Sequence, residues 1–527
     1  MLDAVHGTTD PTPGGQEASS AQTVTTELLQ RLQAELLFER TRNEALNLEI
    51  ARLKRWRFGS SSESLDGSVQ DVLFDAIATD TRAEDTAAQD VANPARPPTP
   101  PARQAVRQAL PASLPRIEHR HELPETLCTC GEPLKRIGED VSEQLDCVPA
   151  QFFVHRHIRG KYACRCCQSI AAAALPAQII DKGIPAPGLL AQVVVAKHDD
   201  HLPLYRQEEI YARSGVHIAR SSMAQWVGIC GVRLAPLADA LRRHILRQPV
   251  VQADETPVSL LAPGKGRTHR AYMWVYRTTD YGAARAVWFD FCTGRGGENP
   301  QRVLKDYAGT LVTDDYAGYK ALYAQGRIIE AGCMAHARRK LFEAHALNGS
   351  AIAAKALSLI ARLYQVEGEC RHLAPEERQA ARQQRSCGIA QELHAWLSGE
   401  RLKLVNADVT AKAIDYSLKR WRALVRFLDD GAVPIDNNAV ENTIRPLALG
   451  RRNWLFVGSQ QAGERAANIM SLIETAKLHG HDPWAYLKDV FERLPTLKNS
   501  ELESILPHHW RVPNGTAPPL PAAPAIP

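Results

Sequence analysis

The residues around position 440 decide the fold, and they read Ala439-Val440-Glu441-Asn442-Thr443-Ile444-Arg445-Pro446. Two earlier segments have the same character, Val251-Gln252-Ala253-Asp254-Glu255-Thr256 and Leu311-Val312-Thr313-Asp314-Asp315-Tyr316. Each segment places a carboxylate where a short apolar run ends or a helix begins. Carboxylate oxygens are the protein ligands that Mg²⁺ takes beside water and substrate oxygens. The sequence therefore predicts one metal-binding set made of Asp254, Asp314 and Glu441.

Two further acidic residues compete with this set. Asp315 is the alternative to Asp314, which we prefer. Glu255 follows Asp254 on a strand, and successive strand residues point to opposite faces. Glu255 is therefore predicted to be structural.

The chain around the first two carboxylates alternates with period 2, which indicates β-strands. Strands are predicted at 249–253, 270–277, 284–291, 310–313 and 328–333, with a helix at 300–307. A three-strand meander followed by helix, strand, helix and strand is the order of a ribonuclease-H-like α/β fold. In such a fold the first and fourth strands are neighbours, so Asp254 and Asp314 can approach one metal.

The third carboxylate is predicted to lie on a helix. The segment Pro434-Ile435-Asp436-Asn437-Asn438 supplies a turn and a helix N-cap, which places Glu441 in the first turns. Arg445 lies four residues later on the same face, where it can orient the carboxylate or bind phosphate. Pro446 is predicted to kink or end this helix. Residues 450–459 are predicted to contain two basic residues followed by a β run. The DNA-binding candidates of this region are Arg445, Arg451, Arg452 and Trp454, the last by stacking on a base.

Residues 335–430 are almost purely helical in character, which predicts a helical insertion before the helix of Glu441. Within it, residues 401–426 contain seven Lys or Arg against two Asp. Such a basic run favours contact with the DNA backbone, although a solvated face is its usual fate. The candidates for DNA contact here are Arg420 and Arg422.

A helical hairpin is predicted on either side of Gly215, with one helix through Tyr211 and another from Ile218 through Trp226. Two short helices about a glycine turn fit helix-turn-helix geometry, in which the start of the second helix meets base edges. The pattern predicts DNA contact by Arg220 and Gln225, although many helical hairpins look the same.

Five of the eleven cysteines cluster in a short region, which in an intracellular chain is typical of metal binding. Two short cysteine pairs, a first knuckle Cys128-x-Cys130 and a second knuckle Cys164-x-x-Cys167, could supply four thiolates to one tetrahedral zinc. The alternative is a reduced, metal-free cluster. Cys166 could replace Cys167, and His155 or His157 could replace a thiolate. The predicted zinc ligands are Cys128, Cys130, Cys164 and Cys167.

The length of 527 residues predicts at least three folded units. The formal charge of +4 allows nucleic acid as a partner without demanding it. No apolar stretch approaches the ~18 residues that span a membrane, and no signal peptide is evident, so a cytoplasmic, nucleoid-associated protein is expected. Residues 23–58 are predicted to form one amphipathic helix, either a coiled-coil dimer or a helix docked on the body of the protein.

These segments together resemble a transposase of the insertion-sequence-sixty-six family, a branch of the DDE transposases. The resemblance runs from about residue 28 to 495. It departs from the family in the first knuckle, which commonly reads C-x-x-C with its first cysteine where this chain has Leu127. The motifs that carry the resemblance are Gly138-Glu139-Asp140-Val141-Ser142-Glu143-Gln144-Leu145, Lys161-Tyr162-Ala163-Cys164, Ala253-Asp254-Glu255-Thr256, Thr313-Asp314-Asp315-Tyr316-Ala317-Gly318-Tyr319, Cys333-Met334-Ala335-His336-Ala337-Arg338-Arg339-Lys340, and residues 437–459 continued by Gly463-Glu464-Arg465-Ala466-Ala467.

The resemblance implies a multidomain, mainly α protein with an interrupted ribonuclease-H-like catalytic core. Its catalytic carboxylates fall on Asp254, Asp314 and Glu441. The expected divisions are 1–22 disordered, 23–58 leucine-zipper-like helix, 59–116 linker, 117–170 zinc-finger-like module, 183–247 helix-turn-helix-like region, 248–475 catalytic domain with an insertion at about 338–432, 476–496 C-terminal helical segment and 497–527 disordered tail.

The activity implied is transposition of a bacterial insertion sequence. The protein would bind terminal inverted repeats, cleave the element ends and transfer the 3′-OH to target DNA, with two Mg²⁺ or Mn²⁺ ions per active site and a separate Zn²⁺. A homo-oligomer on DNA is expected, and the need for accessory proteins of the same element stays open. The alternatives are a ribonuclease-H-like nuclease without strand transfer and a catalytically inactive DNA-binding relic or regulator.

Overall fold

The computed structural model describes residues 110, 112, 114–122, 135–148, 151–181, 183–264, 266–282 and 284–512. The predicted helix at 23–58, the predicted zinc ligands Cys128 and Cys130, and the end of the tail lie outside these residues. The described chain forms two compact units, one of residues 334–428 and one of the described residues before 334 and after 428.

The larger unit begins with a small sheet in the order β1-β3-β2, and β4 pairs with β3. The long hairpin of β2 and β3 is antiparallel, whereas β1 and β3 are parallel. β3 alternates apolar residues with His, Arg and Lys. The strands are β1 (Arg116–His121), β2 (Lys135–Val148), β3 (Gln151–Ala163) and β4 (Ile170–Ala172).

Four helices follow, and the second and third form the predicted hairpin. Gly215 has φ +76°, which glycine adopts without the steric cost of a side chain, so the chain can turn tightly between the two helices. Glu208 on the second helix accepts a hydrogen bond from the backbone N–H of Arg220 at 3.2 Å, at the start of the third. The helices are α1 (Pro187–His198), α2 (Leu204–Arg213), α3 (Arg220–Arg233) and α4 (Ala235–Leu246).

A five-stranded mixed sheet is the centre of this unit, in the order β7-β6-β5-β8-β9. The meander is antiparallel, and the last two strands run parallel to the first. All five predicted strands are present, and so is the helix between the third and the fourth. The elements are β5 (Val250–Ala262), β6 (Arg267–Thr278), β7 (Val287–Cys292), α5 (Glu298–Leu304), β8 (Gly309–Thr313), a 3₁₀ turn (Ala317–Tyr319), α6 (Lys320–Ala324) and β9 (Ile328–Gly332).

The first strand of this sheet is longer than expected. The sequence predicts a short strand that ends at Asp254. Instead β5 continues to Ala262, since β6 pairs with it along this whole length. Only the pairing with β8 stops early, at Gln252 and Val312.

Alternation along the strands buries both faces of the sheet. Trp274 and Tyr276 of β6 belong to one apolar cluster, and Met273 and Val275 belong to a second. Val440, Ile444 and other residues of the C-terminal helices complete the second cluster. The period of 2 therefore gives each face its own layer of side chains.

The C-terminal part of the larger unit packs on this sheet. The sequence predicts that Pro446 kinks or ends the helix of Glu441 and that a β run follows, but one helix continues past Pro446 to Trp454, so the predicted end and the β run are wrong. Only Val457 pairs with β5, with its N–H donating to Ser259 O at 2.8 Å. The elements are α13 (Asn438–Trp454), α14 (Gln460–Leu478), α15 (Pro483–Arg493) and a 3₁₀ turn (Asn499–Ile505).

Helix α14 covers the outer edge of the sheet, which is formed by β7. The hydroxyls of Ser471 and Thr475 accept hydrogen bonds from the backbone N–H groups of Phe289 and Val287 at 2.9 and 3.1 Å. An uncovered edge strand is a template for pairing with another chain. These two hydroxyls therefore satisfy an edge that would otherwise promote aggregation.

The tail is ordered further than predicted. Residues after 496 were expected to be disordered, but Leu502, Ile505 and Trp510 are buried in the core of the larger unit. Trp510 donates from Nε1 to Asp489 Oδ2 at 2.8 Å. Buried apolar side chains and this hydrogen bond offset the entropy of ordering the segment as far as Val512.

The smaller unit is helical, as the composition of residues 335–430 predicts. The fully buried Arg382 donates to Glu367 through Nε and Nη2, at 2.8 and 2.6 Å, and from Nη1 to Phe427 O. Such a two-point contact pairs both buried charges. Its elements are α7 (Met334–Asn348), α8 (Ala351–Cys370), α9 (Pro375–Arg385), α10 (Cys387–Arg401), α11 (Val409–Lys419), α12 (Trp421–Leu424) and a 3₁₀ turn (Arg426–Leu428).

Across the described part of the chain, no helix combines the length and the apolar character that crossing a bilayer requires.

Candidate active site

The parallel pairing of β5 with β8 aligns the first two predicted carboxylates. Gln252 is the partner of Val312 in the last pair of the ladder. Continuing this register by two residues on each strand brings Asp254 level with Asp314. Both residues are partly buried. Adjacent strands lie about 4.8 Å apart, so the two backbones carry their carboxylates side by side where the ladder opens.

Asn437 holds the helix of Glu441 against the same strand. Its side-chain Nδ2 donates to Ala253 O at 2.9 Å, and Gln252 Nε2 donates to its Oδ1 at 3.3 Å. Its backbone N–H donates to the sulfur of Cys333, just after β9, at 3.2 Å. The sequence predicts Asn437 in a helix N-cap segment, and it takes the N-cap position without a side-chain cap. The amide instead joins the helix to the sheet.

Glu441 therefore lies beside the carboxyl ends of the parallel strands. It is in the first turn of α13, and a carboxylate oxygen lies within 4.8 Å of the sulfur of Cys333. The pKa of Asp254 is raised to about 8, mainly by burial and then by the charges of Glu255, Asp314 and Glu441, against the opposing effect of a backbone hydrogen bond. The charges of Asp314 and Glu441 thus both raise the pKa of Asp254.

Glu255 has its own partners. Arg295 donates from Nε to Oε1 at 2.8 Å and Tyr319 donates from its hydroxyl to Oε2 at 3.3 Å. The guanidinium of Arg295 also lies 4.0 Å from the ring centre of Tyr316. These contacts are consistent with the predicted structural role, because they bind the loop after β8 to β5. Arg295 was missed by the sequence analysis, since nothing in its local pattern indicates a partner 40 residues away.

Asp314 and its rival differ in position. Asp314 is half-buried and its Oδ1 accepts a hydrogen bond from the backbone N–H of Tyr316 at 2.9 Å. Asp315 is exposed. The backbone bond fixes the Asp314 carboxylate at the end of β8, which is where the predicted set requires it.

The three carboxylates fit a divalent metal by the chemistry of their donors. They are hard oxygen ligands, and they come from two neighbouring strands and a helix anchored to one of them. The raised pKa of Asp254 reflects burial and negative charge that a bound cation would balance. Asp254, Asp314 and Glu441 are the residues that would hold it.

The predicted DNA-binding residues differ in exposure. Arg220, Gln225, Arg422, Arg445 and Arg452 are exposed. Arg451 donates from Nη1 to Pro257 O at 2.8 Å, so it also secures α13 to β5. Arg420 is only 9 % exposed, so little of its side chain is accessible to DNA. Trp454 is half-buried at the end of α13, where the chain is helical rather than the predicted β run.

The second cysteine knuckle is described and the first is not. Cys164 is buried, and its carbonyl and N–H form backbone hydrogen bonds with Gln168 and Ser169 at 3.0 and 2.9 Å. Cys166 and Cys167 are exposed. The turn thus places an exposed thiol next to a buried one, which is compatible with a partner knuckle supplying further ligands.

The site is acidic and lies at a mixed sheet, and a helical unit interrupts the chain between the last strand and the helix of Glu441. A family model described as Transposase IS66 family matches residues 182–465. Models described as zinc-finger binding domain of transposase IS66, IS66 C-terminal element, and Transposase C of IS166 homeodomain match residues 125–168, 471–508 and 45–118.

Two relatives from Sinorhizobium fredii match most of the chain. The uncharacterized protein y4jD is 38% identical, over 88% of this chain and 94% of its own length. The uncharacterized protein y4qI is 36% identical, over 87% of each. The chain belongs to the IS66 family of transposases, which confirms the resemblance found in the sequence. Membership implies DNA as a partner, and the family models associate the chain with divalent metal and with zinc.

Proposed function

We propose that this protein is an active DNA transposase that binds the terminal inverted repeats of its element, hydrolyses a phosphodiester to free a 3′-OH, and transfers that hydroxyl to target DNA. The proposal is supported by two observations: the β5–β8 register, continued by two residues, brings Asp254 level with Asp314, and Asn437 ties the helix of Glu441 to Ala253. The strand order and directions of the sheet support assignment to the ribonuclease-H-like class.

The chain's own residues would divide the work as follows. Asp254 and Asp314 come from the rigid sheet, and Asn437 fixes the helix that carries Glu441. When bound, two divalent ions activate the attacking oxygen, stabilise the leaving oxygen and relieve the charge on the phosphate. Arg445 is exposed one helical turn beyond Glu441, where it would bind a neighbouring phosphate.

DNA would be held by surfaces outside this centre. The exposed Arg220 and Gln225 at the start of α3 would read the element ends, as the second helix of a helix-turn-helix does. The exposed basic residues of the helical unit, Arg422 among them, would contact the DNA backbone without reading the base sequence. A homo-oligomer would bring two element ends together.

The experiment is a joining assay with purified protein. Duplexes carrying the terminal repeats that flank the gene, already ending in a 3′-OH, are incubated with a supercoiled plasmid and Mg²⁺. We expect covalent joining of the duplex to the plasmid, with no joining when the 3′ end is a dideoxynucleotide. Cleavage of uncut ends without any joining would identify a nuclease, and binding without either reaction would identify a regulator.

A further inference from the structure

A cavity of about 240 Å³ lies between α1, α3, α13 and α14. Most of its lining is apolar, from Val227, Met273 and Leu447 among others. An apolar cavity of about 150 Å³ is enough to hold a benzene ring. This one has room for a planar ring system of one or two rings.

Two aromatic residues form part of its wall. Trp454 ends α13, and Phe456 follows after Leu455, whose φ is +54°. A non-glycine residue at positive φ is costly, and such strain persists where the surroundings impose it. The tight turn allows both rings to line the same cavity. Aromatic side chains are the usual stacking surface for nucleobases, because every base has a π-face.

The wall of the cavity also includes a histidine ring. His198 lines it, and Nε2 of this ring is buried with no hydrogen-bond partner among the described residues. Burial also lowers the pKa of His198 to about 3, so the ring is neutral and has one donor and one acceptor. Because Nε2 has no accessible surface, a base in the cavity would contact other atoms of this ring.

Cations complete the lining. Arg465 of α14 and Lys197 of α1 both line the cavity, although the rest of the wall is apolar. An apolar slot beside two cations suits a ligand that joins a flat ring to an anion. A nucleotide within a DNA strand has this composition.

The distance to the carboxylates is set by two elements. Trp454 is thirteen residues along the helix from Glu441, and Leu260, which bridges to Val457, is six residues along the strand from Asp254. At 1.5 Å per helical residue and 3.3 Å per strand residue, each path is roughly 20 Å. This corresponds to about six base pairs of duplex at 3.4 Å each.

We propose that the cavity receives a nucleobase flipped out of the element-end duplex, about six base pairs from the cleaved phosphodiester. Trp454 and Phe456 stack on the base, and Arg465 and Lys197 hold the flanking phosphates. The inference rests on the proposed function, because it needs an element end bound across the carboxylates.

The test is a mismatch scan of DNA binding. Flipping costs the energy of unpairing and unstacking, and a mismatched base has already lost its pairing. We measure the Kd of the full-length protein, by fluorescence anisotropy, for duplexes with the terminal repeats and a single mismatch at each successive position. We expect binding at least about fivefold tighter for a mismatch near six base pairs from the cleavage point and little change elsewhere.

Variants link this gain to the cavity. Trp454→Leu should lose the mismatch gain, and Trp454→Phe, which keeps a flat ring, should retain it. Ala224 lines the cavity from an exposed position on α3, so Ala224→Leu should fill the space and lose the gain even if Trp454→Leu proves unstable. Trp396→Leu is the matched control, since this half-buried Trp of the helical unit donates to Ile352 O and should leave the gain intact.

Each outcome decides between the two proposals. Normal end cleavage with no position of mismatch gain overturns the inference and leaves the proposed function standing. A gain that survives in both Trp454→Leu and Ala224→Leu also overturns it, because the base is then accommodated elsewhere. If the protein neither binds nor cleaves the ends, the proposed function fails and the inference fails with it.

Discussion

A single buried amide connects the sheet to the helix of the third carboxylate. Asn437 is fully buried and contacts Ala253, Gln252 and Cys333. Ala253 immediately precedes Asp254, so the amide fixes the separation between the strand and the helix next to the reacting centre. Asn437 is therefore a positioning residue for Glu441.

Replacing Asn437 tests this role. Asn437→Ala removes the side-chain donor to Ala253 O in a buried site, which costs on the order of 1 to 3 kcal/mol. Gln252 Nε2 keeps its other acceptor, Asp436 O. We expect a lower urea midpoint and a cleavage rate that falls more than the affinity for DNA. Asn438→Ala is the control, because Asn438 is exposed and bonds only locally to Asp436. Equal effects of the two variants would contradict the positioning role.

The sequence predicts the acidic residues but not the residues that hold them in place. Asp254, Asp314 and Glu441 stand in recognisable local contexts, at strand ends and after a helix start. The contacts of Arg295 with Glu255 and of Asn437 with Ala253 join residues far apart in the chain. No local period or spacing encodes such pairs, so they required the structure.

At the scale of elements, the errors share a physical cause. Pro257 and the charges after Asp254 favour the end of a strand, and Pro446 favours the end of a helix. Tertiary contacts overcome both preferences, because β6 pairs along all of β5, and Arg451 and Val457 bind its other edge. The tail after residue 496 was missed for a related reason, since its few apolar side chains are spaced irregularly.

This tail makes stability depend on pH. Burial, followed by the charges of the neighbouring His244, His509 and His479, lowers the pKa of His508 to about 3. His508 therefore binds a proton near pH 6.5 in the unfolded chain but only near pH 3 in the folded chain. The contribution to stability is complete above about pH 6.5 and is lost as the pH falls towards 3.

The measurement is the urea midpoint between pH 7 and pH 4. We expect the midpoint of the wild type to fall with decreasing pH and the slope to be shallower in His508→Gln. His217→Gln, at an exposed histidine, serves as the control and should keep the wild-type slope. Identical slopes in all three proteins would show that His508 is not buried as a neutral ring.

At the scale of the whole molecule, we expect the helical unit to contact the DNA backbone and α3 of the larger unit to read the element ends. Reversing the charges of the exposed Lys412, Lys419 and Arg422 should weaken binding to every sequence and reduce its salt dependence. Changing Arg220 or Gln225 should instead reduce the preference for element ends. The measurement is the Kd for end and random duplexes over a range of salt. The same sequence profile in both sets of variants would rule out α3 as the reading helix.

The cysteine module gives a second prediction at this scale. Four thiolates in one site should hold about one zinc per chain, and chelation should unfold residues 118–170 without affecting the catalytic core. Cys167→Ser should lose the metal and Cys166→Ser should keep it, as judged by metal analysis and by proteolysis. Protein purified without chelator and found free of zinc would remove the assignment.

The central claim is that Asp254, Asp314 and Glu441 act as one set. The most direct measurement is Mg²⁺-dependent cleavage of an element-end duplex by wild type and by Asp254→Asn, Asp314→Asn, Glu441→Gln and Asp315→Asn, with the Kd for the same duplex measured in parallel. The amides keep the shape of the side chains and remove the charge that would hold the metal. We expect the first three variants to bind the duplex nearly as well as wild type and to lose cleavage by several orders of magnitude, whereas Asp315→Asn stays close to wild type. Cleavage retained in any of the three, or an inactive Asp315→Asn beside an active Asp314→Asn, would contradict the account.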